Sequence, residues 1–237
     1  MDDKYQNVQK YFNQTDTYLN NNLVISLRSK LIVNNLPEIE NKEIIDIGCG
    51  NGEITLPFIY NNKITFLDIS INMLDLVLKK IPSGYLKNAE LVNKDFGSFN
   101  TEKKYDYLFL IGVLAHVESI SKTISKLSEL SKDDGNIILQ YTNSYNIISI
   151  ILRITGSFKK IMGIKYGYKI NLISTIELNK ILSIYNLECI KRISYWPALP
   201  GFKLIPKCIR KYFYFKILNG NILHALGGEK ILVIKPA

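Results

Sequence analysis

The sequence predicts an α/β fold: a parallel sheet with helices on both faces. Two observations carry this. Five short, continuous apolar segments, Glu43–Ile47, Lys63–Asp68, Ala89–Lys94, Tyr105–Ile111 and Asn136–Thr142, read as strands buried on both sides. Segments of helical pattern fit between them at 53–60, 71–81 and 119–131, so strand and helix alternate.

In chain order, residues 4–20 read as a short polar and aromatic helix carrying Tyr5, Tyr11, Phe12 and Tyr18. Leu23, Leu27 and Leu31, with Val24 and Ile32, repeat at helical spacing, and Pro37 closes that element. After Thr142 the rhythm changes. An Ile-rich stretch and "GSFKKIMGIKYGYK" precede a helix at 175–185, a strand at 187–194 and a last strand at 230–234. The segments 143–173 and 196–228 are long for connections and are expected to form helical caps. One domain spans residues 1–237, with N-terminal helices over 1–38 and a core over 40–142.

A composition of 47% hydrophobic and 22% charged residues is that of an ordinary globular protein. No apolar run approaches the ~20 residues that span a bilayer, and the polar start lacks a signal-peptide core. Cys49, Cys189 and Cys208 lie far apart without metal-ligand spacing, so a cytoplasmic chain without a metal site is expected. The net charge of +9 is uneven: residues 142–237 hold 15 Lys+Arg against Glu177, Glu188 and Glu229 alone. That balance reads either as a solvated basic face or as a surface for something anionic.

The densest signal is "IIDIGCGNG". A strand ending in Asp46 with Gly48, Gly50 and Gly52 behind it brings backbone very close to a ligand. The spacing differs from the dinucleotide G-x-G-x-x-G and lacks the Lys-Ser/Thr of a phosphate loop. In "ITFLDISINML", Asp68 ends the second strand, where an acid accepts from both hydroxyls of a ribose; capping the next helix is its other reading. Ile69 and Met73 are candidate adenine walls, although Met73 equally suits the core. In "LVNKDFGSF", Asp95 is placed to accept from an adenine amino group, with the Phe96 amide donating to the ring. In "YDYLFLIGVLAHVES", the fourth strand runs out at Ile111 and Gly112, where bare backbone passes beneath a ligand.

Together these ordered motifs, with "DDGNIILQ", resemble the class I S-adenosylmethionine-dependent methyltransferases over residues 40–142. The resemblance implies a Rossmann-like, seven-stranded methyltransferase sheet whose last strand is antiparallel, and S-adenosyl-L-methionine as cofactor. It assigns Asp46 and the Gly48–Gly52 turn, Cys49 included, to the methionine end, Asp68 to the ribose, and Asp95 and Phe96 to the adenine. Asp46 also reads as a brace for the turn, and Cys49 as a small residue packed in it. Tyr11 resembles N-terminal aromatics that close over the cofactor, or it packs as core.

Transfer from an activated methyl group needs alignment and exclusion of water, and a base only where the acceptor holds its proton near neutral pH. His116 is the candidate base or substrate contact, with a loop-supporting role as its alternative; Glu118 and His224 are weaker. Tyr141, Trp196 and Lys203 are candidate acceptor contacts, the last two within the basic and aromatic "WPALPGFKLIPKCIRKYFYFKILNG". "YFNQTDTY" and the sequence after the fifth strand resemble porphyrin and quinone methyltransferases, at too few positions to carry over their substrates. The expected activity is methyl transfer to oxygen or nitrogen of a small anionic intermediate, phosphorylated or nucleotide-linked, by a monomer or homodimer. The alternatives are a tRNA or rRNA methyltransferase, an enzyme docked on a membrane surface, and a cofactor-binding scaffold without transfer activity.

Overall fold

The computed structural model of the 237-residue chain describes residues 22–144, 171–195, 206, 209 and 228–237. The expected helix at 4–20 and most of both cap segments lie outside the described residues. The first described element is helix α1, Asn22–Val33. Strands β1 (Glu43–Ile47), β2 (Lys63–Asp68), β3 (Ala89–Asn93), β4 (Tyr105–Leu110) and β5 (Ser131–Thr142) follow. Helices α2 (Ile71–Lys80) and α3 (Ile120–Leu130) precede β3 and β5 respectively. Helix α4 (Thr175–Ile184) leads into β6 (Leu187–Tyr195) and β7 (Glu229–Pro236).

The strands form one seven-stranded sheet in the order β3-β2-β1-β4-β5-β7-β6. Strands β1 to β5 are mutually parallel, and β7 runs antiparallel between β5 and β6. Topology therefore gathers one kind of strand end along one rim. The carboxyl ends of β1, β2, β4, β5 and β6 lie there, joined by the start of β7. In open α/β sheets this rim is where ligands bind.

Alternate residues of each strand enter two cores, as the two-residue period requires. Ile44, Phe66, Phe109, Ile138 and Ile231 pack against α1 and α2, through Leu27, Ile32, Leu74 and Val77. Ile45, Leu67, Leu108, Leu139 and Leu232 pack against α3 and α4, through Ile124, Leu127, Leu178 and Leu182. Serines begin three of the helices: the hydroxyls of Ser70, Ser119 and Ser174 accept from Met73, Lys122 and Glu177 amides.

The helix expected at 53–60 does not form. The segment is a series of turns with one short 3₁₀ turn, Leu56–Phe58. Pro57 supplies no amide for a continuing ladder, and Gly52 enters the segment at φ 75°. No helix of the described residues is long and apolar enough to cross a membrane.

Candidate functional site

The turn after β1 is folded inward. Gly48, Gly50 and Gly52 have φ of 66°, 54° and 75°, in the left-handed region where a side chain is strained. At Gly48 space matters as well, because a Cβ would drive into Val113 Cγ2 in the segment after β4. Gly52 instead serves packing, with Leu56 Cδ1 2.9 Å from where its Cβ would lie. Several of the turn amides are already spent. Those of Gly48 and Cys49 donate to the Leu67 carbonyl at 2.7 and 3.2 Å, and that of Gly50 donates to Asp68 Oδ2 at 2.8 Å. A phosphate-binding turn needs such amides free and a helix N-terminus behind them. Here the amides of Gly48, Cys49 and Gly50 are engaged and only a short 3₁₀ turn follows, so the turn suits a ligand without phosphate.

Two carboxylates flank it. Asp46 is 1% exposed and accepts from Thr55 Oγ1 at 2.6 Å. Asp68 is 6% exposed, and its second oxygen accepts the Ser70 amide at 2.8 Å. Burial raises the Asp46 pKa to about 7, with the Thr55 hydrogen bond opposing and the charge of Asp68 adding to the rise. Burial also raises Asp68, against the amides of Ser70, Gly50 and Ile69. Among the described residues neither acid makes a salt bridge. Two buried acids side by side disfavour their own ionisation, and a cationic ligand reverses that.

Beyond β3, Asp95 Oδ2 accepts the Gly97 amide at 2.7 Å, and the Asp95 carbonyl accepts the Ser98 and Phe99 amides. Phe96 packs in the core on the α3 side, with Lys126 Nζ 5.3 Å from its ring centre. Ile69 is half-buried at the rim. Met73 is 1% exposed, which places its side chain in the interior rather than on an open wall. Cys49 likewise packs in the α1-side core, so its contribution to the turn is its backbone.

The segment after β4 is clamped from the far side of the chain. Ile111 packs against the α1-side core, and Gly112 turns at φ 80°. The Asn171 side chain donates to the Val117 carbonyl at 2.6 Å and to that of Leu114 at 3.5 Å. Its backbone amide donates to Ala115 at 2.7 Å. His116, half-buried, sits inside this clamp with its amide on the Val113 carbonyl at 2.8 Å, whereas Glu118 is exposed.

On β5, neighbouring residues face opposite sides of the sheet. Tyr141 is 2% exposed in the α3/α4-side core, and its hydroxyl pairs with Thr175 Oγ1 at 2.8 Å. Its neighbour Gln140 faces α1 at the rim instead, beside Arg28 and Glu229. Neither Arg28 nor Gln140 carried a motif signal; alternation along β5 gave two faces and nothing local chose between them. Tyr11, Trp196, Lys203 and His224 lie outside the described residues.

A family model described as a methyltransferase domain matches residues 23–192. The chain is 26% identical over 106 residues to (S)-coclaurine N-methyltransferase of Papaver somniferum, covering 43% of this chain and 30% of that enzyme. It thus spans less than a third of the length of that relative. It is 24% identical over 208 residues to ribosomal RNA small subunit methyltransferase A of Mycoplasmopsis pulmonis, covering 82% and 78%. The fold matches magnesium protoporphyrin IX methyltransferase of Synechocystis PCC 6803, solved with bound SAH. That match has a TM-score of 0.64 at 17% identity, over 99% of this chain and 100% of that one.

Proposed function

The chain belongs to the methyltransferase-domain family, and on that premise we propose that it moves a methyl group from S-adenosylmethionine to an oxygen or nitrogen of a small acceptor. One observation carries the choice of cofactor: Asp46 and Asp68, buried without an ion-pair partner among the described residues, flank a turn whose Gly48, Cys49 and Gly50 amides are spent on the protein itself. The residues fit an adenosyl group bearing a positive charge and no phosphate. Bound there, S-adenosylmethionine supplies a methyl group already activated by its charged sulfur. Asp68 keeps lone-pair capacity for the ribose hydroxyls beyond the amides of Gly50, Ser70 and Ile69. Asp46 provides the compensating negative charge, and Gly112 keeps side-chain bulk away from the floor.

His116 is the candidate base, needed only for an acceptor that holds its proton near neutral pH. The excess of 15 Lys+Arg over three acids in residues 142–237 supports an anionic acceptor, and the scattered cysteines support a cytoplasmic setting. The match to a ribosomal RNA methyltransferase over 82% of the chain favours RNA as a second reading. Calorimetry with S-adenosylhomocysteine tests the cofactor, with low-micromolar binding expected. Labelled methyl transfer to a small-metabolite extract, bulk RNA and anionic vesicles then separates the acceptors. Label in the metabolite fraction alone supports the small-molecule reading, and label in RNA overturns it.

A further inference from the structure

This inference rests on the methyltransferase reading and concerns the group that stands opposite the cofactor. Gln140 is 3% exposed, two residues before the end of the β5 pairing with β7 that closes at Thr142↔Glu229. Its side-chain nitrogen donates to Glu229 Oε2, while Glu229 Oε1 accepts the Thr142 hydroxyl at 2.9 Å. The reverse amide orientation would press oxygen against a carboxylate, so chemistry decides which end faces Glu229. The other end, Oε1, is buried and has no hydrogen-bond partner among the described residues.

That oxygen faces the end of β4. A Cβ on Gly112 would lie 3.9 Å from Gln140 Oε1 and 3.5 Å from Arg28 Nη1. Arg28 is held in turn, its Nε donating to the Tyr195 hydroxyl at 2.7 Å. Strand β4 lies between β1, which carries Asp46, and β5, which carries Gln140. The register sets Asp46 level with Phe109 and Ile138, so Gln140 stands two residues further along β5, about 12 Å from Asp46 on the same face. Buried polar atoms are almost always paired, and one left unmet is a cost that a bound group removes.

We infer that Gln140 is an acceptor-binding residue, its Oε1 taking a hydrogen bond from an N–H or O–H of the acceptor lying over Gly112. The substrate class narrows accordingly to amines and hydroxyl compounds, because carboxylates and thioethers have no proton to give. The Arg28 guanidinium beside the same spot disfavours an ammonium ion there and so keeps an amine in its neutral, nucleophilic form. Gln140 removes no proton, since a neutral amide is not a base in the working pH range.

The test uses the full chain and two adenosyl ligands. Sinefungin carries an amine where the cofactor carries its departing methyl group, so it presents an N–H toward the acceptor side; S-adenosylhomocysteine presents nothing there. In calorimetry, Gln140→Met is expected to weaken sinefungin tenfold or more and to leave S-adenosylhomocysteine within twofold. Equal losses for both ligands, or no loss for either, overturn the inference. Should the variant not fold, the wild-type protein decides by NMR. The Gln140 side-chain amide signals move with sinefungin and not with S-adenosylhomocysteine, and an identical response to both overturns the inference. Failure of the wild type to bind S-adenosylhomocysteine overturns the methyltransferase reading, and this inference with it.

Discussion

The Asp68 carboxylate holds the Gly50 amide at 2.8 Å, which ties the end of β2 to the middle of the turn that follows β1. The same carboxylate holds the Ser70 amide at the start of α2. Asp68→Asn must turn an NH₂ toward one of these two donors, losing a hydrogen bond to a charged group worth roughly 1.5–3 kcal/mol. The expected outcome is at least a tenfold rise in the S-adenosylhomocysteine Kd by calorimetry, with a lowered melting temperature. Unchanged affinity would remove Asp68 from the site.

Asp46 makes cofactor affinity depend on pH. Its folded pKa of about 7 leaves it mostly neutral at pH 6 and ionised at pH 8. A cationic ligand favours the ionised form, so affinity for S-adenosylmethionine rises with pH through 7, by about tenfold between pH 6 and 8. Asp46→Asn keeps an acceptor for Thr55 and flattens this profile. Calorimetry at three pH values checks both curves.

The same group affects stability with the opposite slope. Its folded pKa is raised from 3.8, so the native state binds the extra proton. Its stabilising contribution is whole below pH 3.8 and is lost as pH rises to about 7, at a cost of order 4 kcal/mol. Urea denaturation of the wild type is expected to show this loss between about pH 4 and 7, levelling off above, and Asp46→Asn is expected to reduce it.

At Gly48, strain and space are separable. Gly48→Ala meets both the positive φ of 66° and Val113 Cγ2, and is expected to destabilise by more than about 2 kcal/mol. Adding Val113→Ala removes the collision and leaves the backbone strain of about 1 kcal/mol. A double-mutant cycle from thermal melts measures the difference; additive losses would mean that the two positions do not touch.

Asn171 predicts a loop effect without a cofactor effect. Asn171→Ala strips the Val117 and Leu114 carbonyls of their side-chain donor, at a cost of about 1–2 kcal/mol. Hydrogen exchange across 113–117 is expected to accelerate, while S-adenosylhomocysteine affinity stays within twofold.

Local chemistry makes the glycine turn and its flanking acids legible in the sequence. Asp46, the three glycines and Asp68 follow one another at strand ends, where a short stretch of chain sets both conformation and position. The helix expected at 53–60 fails on residues that are equally visible there, Gly52 and Pro57. The burial of Tyr141 is not legible for another reason: period-2 alternation separates it from Gln140 without saying which residue packs against α3 and α4.

Residues a few positions apart are enough to dictate the alternation of strands and helices, the inward turn after β1 and the acids that flank it. The cluster around Gly112 is different, because it exists only once the chain has packed. Arg28 from α1 and Gln140 from β5 meet at Gly112, with Glu229 from β7 bonded to the other end of Gln140, because β7 inserts antiparallel beside β5 and α1 packs across that face of the sheet. Such convergence is a property of packing between distant segments, which no local spacing encodes.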